Sequence, residues 1–487
     1  MLDLDLVRDD PDRVRASMRA KRLGDPDAVD RLLATDKERR AAVTALNDLQ
    51  RQQGELGRQI GPLMKAGRRD EAAPLLQRSN AIKAEVKEGE EAVRRLDEQL
   101  HALRLEIPNT IHESVPVGGE DANEVLGEWG EKPAFDFDPL PHWEIAEQHG
   151  LVDFERGAKV TGAGFPFYVG QGARLQRALV GLFLDLATEA GYTEVQAPAL
   201  VNEASGVGTG QLPDKEGQMY EVEGLSAEAA ERLINSYKYL KTYKGSLDSA
   251  LVQDRMLDDE LEQKMAWAED ALEDVESQLT SLKPLYLAPT AEVPLTNLHR
   301  DEVLDADALP VLYTGYTPCF RREAGSYGKD VRGLNRLHQF DKVELVRFCR
   351  PDESYRHFDA LLADAERAVQ ALGLPYRRVL LASGDLGVTQ AKTVDLEVWS
   401  AGQGRWLEVS SVSNFEAYQA RRANVRFRPG PGPGGAPAKP EFVHTLNGSA
   451  LALPRIVAAL LENGQRADGS VALPDRLAAA AGFERIG

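Results

Sequence analysis

The densest run of reactive side chains lies between Cys319 and Arg347, CFRREAGSYGKDVRGLNRLHQFDKVELVR. It reads as a strand, a glycine-rich basic loop and a second strand. Alternation along a strand puts Arg321 and Glu323 on one face of the first, and Arg336, His338, Phe340, Lys342 and Glu344 on one face of the second. Such a face has the wrong chemistry for a core, because buried charges need partners. An aromatic ring flanked by arginines and carboxylates suits a stacked base, a phosphate chain and an amine-bearing substrate. The structural alternative is an exposed sheet edge laced with ion pairs.

Other chemistries are excluded by what the chain lacks. No GxxxxGK[ST] occurs, so there is no P-loop nucleotide site. The run PGPGPGGAPAKP at 429–440 is a proline- and glycine-rich loop whose spacing fails as a dinucleotide fingerprint. The eight histidines show no ligand spacing, and with only Cys319 and Cys349 available no structural zinc is expected. Two cysteines in a chain of this length fit a reducing compartment and read as small core or strand residues. Arg455 follows Pro454 in the first turn of an expected helix, where a cation works against the dipole and a shared anion would offset the penalty.

These residues must be positioned by a larger frame. The chain has 487 residues, which predicts two or more domains. It is 43% hydrophobic and 28% charged, the composition of a soluble globular protein. No segment resembles a membrane span, and the start MLDLDLVRDD carries acids where a signal peptide needs bases, so a cytoplasmic location and no membrane partner are expected. The formal charge of −20 argues, as a mean, against a nucleic-acid partner.

Residues 26–107 hold few aromatics and a hydrophobic period near 3.5. Ile82, Val86, Val93, Leu96, Leu100, Leu103 and Ile107 form one seam. Val29, Leu32, Val43, Leu46, Leu56, Ile60 and Leu63 form its partner, with Asp36, Arg39, Gln50 and Gln53 at seam positions. Gly61-Pro62 and Gly67 break the pattern, which predicts an antiparallel coiled-coil hairpin within a domain spanning 1–110. The remainder, 111–487, mixes short β-rich runs with helices. Inside it, 225–283 reverts to helical spacing, with Leu261, Met265, Ala268, Leu272, Val275, Leu279 and Leu282 in step, and reads as an inserted helical hairpin of net charge −6. Tyr237, Tyr239 and Tyr243 there alternate with lysines and are expected to cover the insert's own seam.

The stretch FRREAGSYGKDVRGLNRLHQF resembles motif 2 of class II aminoacyl-tRNA synthetases, in the wording of the seryl-tRNA synthetase family. Further segments resemble that family in the same order: GYTEVQAPALV its motif 1, LAPTAEVPLTN its TAE loop, LEVWS and LEVSSVSNFEAYQARR its substrate strands, and HTLNGSALALPRIVAALLEN its motif 3. The resemblance implies an α+β fold, an N-terminal helical coiled-coil arm before a core built on an antiparallel sheet with flanking helices. It leaves 225–283 unaccounted for.

The resemblance also implies roles. ATP would be held by Arg321, Arg322, Glu323, Leu337, Phe340, Glu408, Val409, Ser410, Ser411 and Arg455, with Mg²⁺ on Glu408 and Ser411. Serine would be held by Thr290, Ala291, Glu292, Glu344, Asn447 and Ser449. The reaction would be activation of L-serine to seryl-adenylate, then transfer to the 3′ end of tRNA(Ser) and, where present, tRNA(Sec), by a homodimer. The arm would hold the long variable arm of the tRNA. Residues 31–83 carry 11 basic and 6 acidic side chains, among them Arg39, Arg40, Arg51, Arg58, Lys65, Arg68 and Arg69, toward the arm's distal half. Charges are screened over about 8 Å at physiological salt, so this local excess can meet phosphate despite the acidic mean. Two alternatives stand beside this reading: a ligase that loads a carrier protein, which would lack the arm, and a non-catalytic tRNA-binding paralogue, which would have lost some of Arg321, Glu323, Phe340, Glu344 and Arg455.

Overall fold

The computed structural model describes residues 1–214, 217–222, 227–253, 259–281, 284–323, 332–430 and 438–487. The basic loop 324–331, residue Leu282 of the proposed insert seam and the stretch 431–437 lie outside the described residues.

Two short helices, Leu4–Asp9 and Pro11–Lys21, precede the long pair α1 (Ala28–Lys65) and α2 (Arg69–Glu106). At about 1.5 Å per residue each of these two reaches some 57 Å. Each has acid in its first turn and base in its last, Asp30 and Lys65 in α1 and Asp70, Glu71 and Arg104 in α2, which complements the helix dipole. They pack antiparallel and reverse at Gly67, whose φ of 74° suits glycine. The expected break at Gly61-Pro62 is not found. α1 runs through Pro62, which removes a single backbone donor, and the helix is carried on by packing against α2. The seam is thin: Val29, Leu32, Ile82, Val86 and Leu100 are buried, while Val43, Leu46 and Leu56 are half-buried. Gln50 is exposed and Leu49 turns inward in its place, a one-residue drift of the 3.5 pattern on a 3.6-residue helix.

At the root, Leu2, Val7, Val14, Met18, Val29, Leu32, Leu100 and Ile107 enclose one further side chain, Tyr418 of the body. Its hydroxyl donates to the Ile107 carbonyl at 2.8 Å. Asp36, wholly buried, accepts from Arg8 at 2.9 and 2.6 Å and from Arg40 at 3.0 Å. The hydrogen bonds from Arg8 hold the Asp36 carboxyl below the ordinary carboxylate range.

The body is an eight-stranded sheet. In chain order the strands are β1 (Glu124–Trp129), β2 (Thr193–Glu194), β3 (Val311–Phe320), β4 (Gln339–Cys349), β5 (Tyr376–Leu380), β6 (Lys392–Ser400), β7 (Arg405–Asn414) and β8 (His444–Ala452). In space they run β1-β5-β6-β7-β8-β4-β3-β2, antiparallel except for β2 against β3. Helices α3 (Gln171–Glu189), α7 (Ser354–Gln370) and α9 (Leu453–Asn463) join the sheet in one large apolar core. Between α3 and α7 come α4 (Ala227–Gln253) and α5 (Asp259–Ser281), which pack on each other, and the short α6 (Glu292–Thr296). The short α8 (Tyr418–Ala423) lies between β7 and β8. Of the three tyrosines on α4, Tyr237 and Tyr243 are half-buried and Tyr239 is 65% exposed. Cys319 and Cys349 are free and buried in β3 and β4, and burial pushes the Cys349 thiol up to about 12.

Candidate active site

The ladder register of the central strands brings the sequence-predicted residues together. Glu344 on β4 stands opposite Gly315 on β3 and Ser449 on β8, while Asn447 on β8 stands opposite Val346 on β4 and Ser413 on β7. The Glu344 side chain is wholly buried. Its Oε1 accepts from Asn447 Nδ2 at 2.7 Å. Its Oε2 lies 2.6 Å from Lys342 Nζ and accepts from Thr290 Oγ1 at 3.3 Å and Ser449 Oγ at 3.4 Å.

Glu292, at the start of α6, is the second buried carboxylate. Asn447 Nδ2 also donates to its Oε2 at 3.1 Å, so one amide bridges both acids. Gln419 Nε2 donates to its Oε1 at 2.6 Å. Burial first, and the Glu344 carboxylate second, push Glu292 up to about 7. Two buried acids thus share one lysine, and a pocket of this kind gains by admitting a further cation.

The other end is guanidinium-rich. Arg321 donates Nε to the Pro289 carbonyl at 3.4 Å and lies 5.3 Å from the centre of the Phe340 ring. The expected common strand face of Arg321 and Glu323 is corrected here. β3 ends at Phe320, because its partner β4 begins at Gln339, directly opposite. Arg336 and His338 precede β4 for the same reason. Glu323 takes a left-handed φ of 48° and its carboxylate accepts from Arg336 Nη1 at 2.9 Å.

Arg455, in the first turn of α9, donates Nε to the Asn335 carbonyl at 3.1 Å and Nη1 to the Glu408 carbonyl at 2.8 Å. These two acceptors hold the cation on the cavity wall. On β7, Glu408 and Ser411 lie on the cavity wall, and Asp395 of β6 stands opposite Ser411. Asp395 is buried, with no hydrogen-bond partner for Oδ1 among the described residues, and burial followed by the nearby Glu408 raises it well above the usual range.

All of this opens into one cavity of about 770 Å³. Its wall includes Thr290, Glu292, Asn447 and Ser449 at one end, and Arg321, Glu323, Leu337, Phe340, Glu408, Val409, Ser410, Ser411 and Arg455 at the other. Glu344 lies beneath the wall and acts through its hydrogen bonds. Ala291 is buried in an apolar cluster, and Arg322 is exposed, its backbone N–H donating to the Gln218 carbonyl at 2.8 Å; neither lines the cavity. Sequence reasoning missed Gln419 and Asn335, and placed Lys342 on the face without giving it a task. Only the alternation along β4 could have singled out Lys342; no spacing marks the other two.

On the arm, Arg39 pairs with Asp97 across the hairpin, Arg51 with Asp48 at 3.1 Å and Arg68 with Glu71 at 2.5 Å. Arg40 is one of the groups holding Asp36. Arg39 and Arg40 lie in the first third of α1, near the root and not in the distal half. Arg58, Lys65 and Arg69 are exposed toward the tip.

Comparison with known proteins matches residues 1–111 to the seryl-tRNA synthetase N-terminal domain and residues 276–464 to the tRNA synthetase class II core domain (G, H, P, S and T). The serine–tRNA ligase of Salinibacter ruber is 54% identical over 488 aligned residues, covering 100% of this chain and 99% of the relative. That of Geobacillus kaustophilus is 44% identical, covering 98% and 97%. Among solved structures, seryl-tRNA synthetase from Pyrococcus horikoshii, complexed with ATP, has a TM-score of 0.81 at 32% identity, covering 100% of this chain and 99% of that one. The cytoplasmic serine–tRNA ligase from Naegleria fowleri, in complex with AMP, has 0.77 at 26%, covering 100% and 98%.

Proposed function

We propose a division of labour within the pocket from the premise that this chain belongs to the seryl-tRNA synthetase family and is an ATP-dependent serine–tRNA ligase of class II. The observation that carries the division is the paired carboxylate floor beside two arginines and an aromatic ring in one cavity. Glu292 takes the serine ammonium. Glu344, from beneath the wall, acts on the serine hydroxyl through Thr290, Asn447 and Ser449, which line the cavity. Phe340 stacks on adenine, Arg321 holds the α-phosphate, and Arg455 holds the terminal phosphates.

The serine carboxylate then attacks the α-phosphorus in line. The bond to the bridging oxygen breaks and pyrophosphate leaves, giving seryl-adenylate. A hydroxyl of the terminal adenosine of tRNA attacks the activated carbonyl, its proton passes to the adenylate phosphate, the acyl–phosphate bond breaks and AMP departs. In the first step carboxylate is already a nucleophile, so the residues contribute position and charge, not a general base. The Pyrococcus horikoshii structure, complexed with ATP, supports ATP as the nucleotide.

Glu408 and Ser411 offer oxygen donors of the kind a hard divalent cation takes, and the buried Asp395 behind Ser411, whose carboxyl is raised by burial and by Glu408, would ionise more readily beside a cation there. Mg²⁺ held by Glu408 and Ser411 would neutralise phosphate charge when ATP is present.

A serine pocket that hydrogen-bonds the substrate hydroxyl leaves buried groups unpaired when alanine enters, a discrimination that reaches ~10⁴ in such sites. The arm, with Arg58, Lys65 and Arg69 toward its tip, docks the long variable arm of tRNA(Ser). The two-residue strand β2, whose Thr193 and Glu194 are exposed, ends the sheet as an edge and supports a homodimer formed through it. No described helix is long and apolar enough to cross a membrane, and a cytoplasmic site of action fits a protein that draws on ATP and tRNA. The test is pyrophosphate exchange into ATP with a panel of amino acids. Serine alone should stimulate it; equal stimulation by alanine or threonine contradicts the pocket assignment.

A further inference from the structure

Gln419 makes no contact with the space a substrate would fill, yet every hydrogen-bonding group on its side chain is committed. It is 1% exposed. Its Nε2 donates to Glu292 Oε1 at 2.6 Å and to the Thr209 carbonyl at 3.1 Å, and its Oε1 accepts from Thr445 Oγ1 at 2.8 Å. The Thr209 carbonyl fixes which way the amide faces. A carbonyl can only accept, so the NH₂ edge turns toward Thr209 and the carboxylate, and Oε1 is left to accept from the Thr445 hydroxyl; the orientation follows from the network.

Glu292 has little else to hold it. Asn447 reaches its other oxygen at 3.1 Å but gives a shorter bond, 2.7 Å, to Glu344. The charged groups acting on Glu292 are Glu344 and Lys342 from β4 and Arg321 from the end of β3. Glu344 opposes ionisation, and the two cations favour it. Unlike Asn447, whose amide bridges both acids, Gln419 gives its shorter hydrogen bond to Glu292, and that bond favours the carboxylate form.

We propose that Gln419 is a positioning residue for serine activation: held by Thr445 and Thr209, it aims the Glu292 carboxylate at the amino-acid ammonium and keeps it ready as the charged form. The proposal rests on the assignment of Glu292 to the serine ammonium. It predicts two separable losses when the donor is removed. A rotating or protonated Glu292 weakens serine and leaves ATP alone. Because the amide's hydrogen bond draws the Glu292 pKa down, its loss raises that pKa further, so the acid limb of kcat/KM for serine moves to higher pH.

The experiment is serine-dependent pyrophosphate exchange from pH 5.5 to 9 with the full-length protein, comparing Gln419→Met, Gln419→Glu, Thr445→Val and Glu292→Gln. For Gln419→Met the expected result is a serine KM raised at least tenfold, an ATP KM within about twofold, and the acid limb displaced upward. Thr445→Val, which takes the partner from Oε1 and leaves the amide held by Thr209 alone, should move both readouts in the same direction by less. Gln419→Glu keeps the shape and the acceptor for Thr445 but adds a third carboxylate. Its serine activation should fall as pH rises, opposite to the native limb, which keeps the test alive if the Met variant misfolds. A Gln419→Glu profile that tracks the native one, or a Met variant with unchanged serine KM and acid limb while Glu292→Gln loses serine binding, overturns the proposal. Unchanged serine KM in Glu292→Gln would instead overturn the ammonium assignment beneath it.

Discussion

The arm and the pocket treat buried charge in opposite ways. On the arm, the buried carboxylate Asp36 is given two arginines at the root, and the cations beyond it remain in water. In the pocket, two acids share one lysine and an amide, and Glu292 is left with a pKa near 7. An over-neutralised carboxylate is a fastening; an under-neutralised one is a site waiting for a cation. The contrast separates residues that hold the molecule together from the buried acids proposed to meet a substrate.

The contrast can be broken most severely at the phosphate end. Arg321→Ala should lower serine-dependent exchange by about 10²–10³, the cost of removing one preorganised group from a developing charge, while tRNA affinity measured by filter binding stays near native. A loss in both would mean that Arg321 also supports the fold.

Next in size is the root. Asp36→Ala should cost about 1–3 kcal/mol of stability, read as a lowered melting temperature, with exchange by the folded protein unchanged. The same bond has a pH signature. Asp36 is held below its ordinary range, so its stabilisation is complete above the unfolded pKa near ~4 and is lost as pH falls through the folded value. The difference in melting temperature between native and Asp36→Ala proteins should therefore shrink toward pH 2. A constant difference would assign the loss to packing.

The smallest effect is expected at the tip. Arg68→Ala with Arg69→Ala should reduce the salt dependence of tRNA binding by about one unit of slope, less than two independent phosphate contacts, because Glu71 already engages Arg68. An unchanged slope removes the tip from the tRNA contact.

What could be read in the sequence divides along the same line. Periodicity carried the arm, since Ile82, Val86 and Leu100 had to face something, but it could not tell that packing would carry α1 through Pro62 or that Leu49 would displace Gln50. Alternation on β4 brought Phe340, Lys342 and Glu344 to one face, and the family resemblance supplied the α+β fold and the roles. Alternation failed at Arg321 and Glu323, where the ladder ends. Gln419 was invisible for a different reason. It sits on a six-residue helix, and its partners Thr209, Glu292 and Thr445 come from three distant parts of the chain. Its neighbour Tyr418 points into the arm root, so α8 joins the two regions.

That junction dictates how the arm should be cut. Removing it at the root would strip Tyr418, whereas replacing residues 40–96 with a short linker keeps Leu32, Leu100, Ile107 and the Arg39–Asp97 pair that closes the stump. The decisive measurement is serine-dependent pyrophosphate exchange and tRNA charging on this shortened protein, side by side. Exchange within about twofold of native with charging reduced at least a hundredfold is the result expected of an arm that docks tRNA and a body that does the chemistry. Parallel loss of both activities, or full retention of charging, would contradict it.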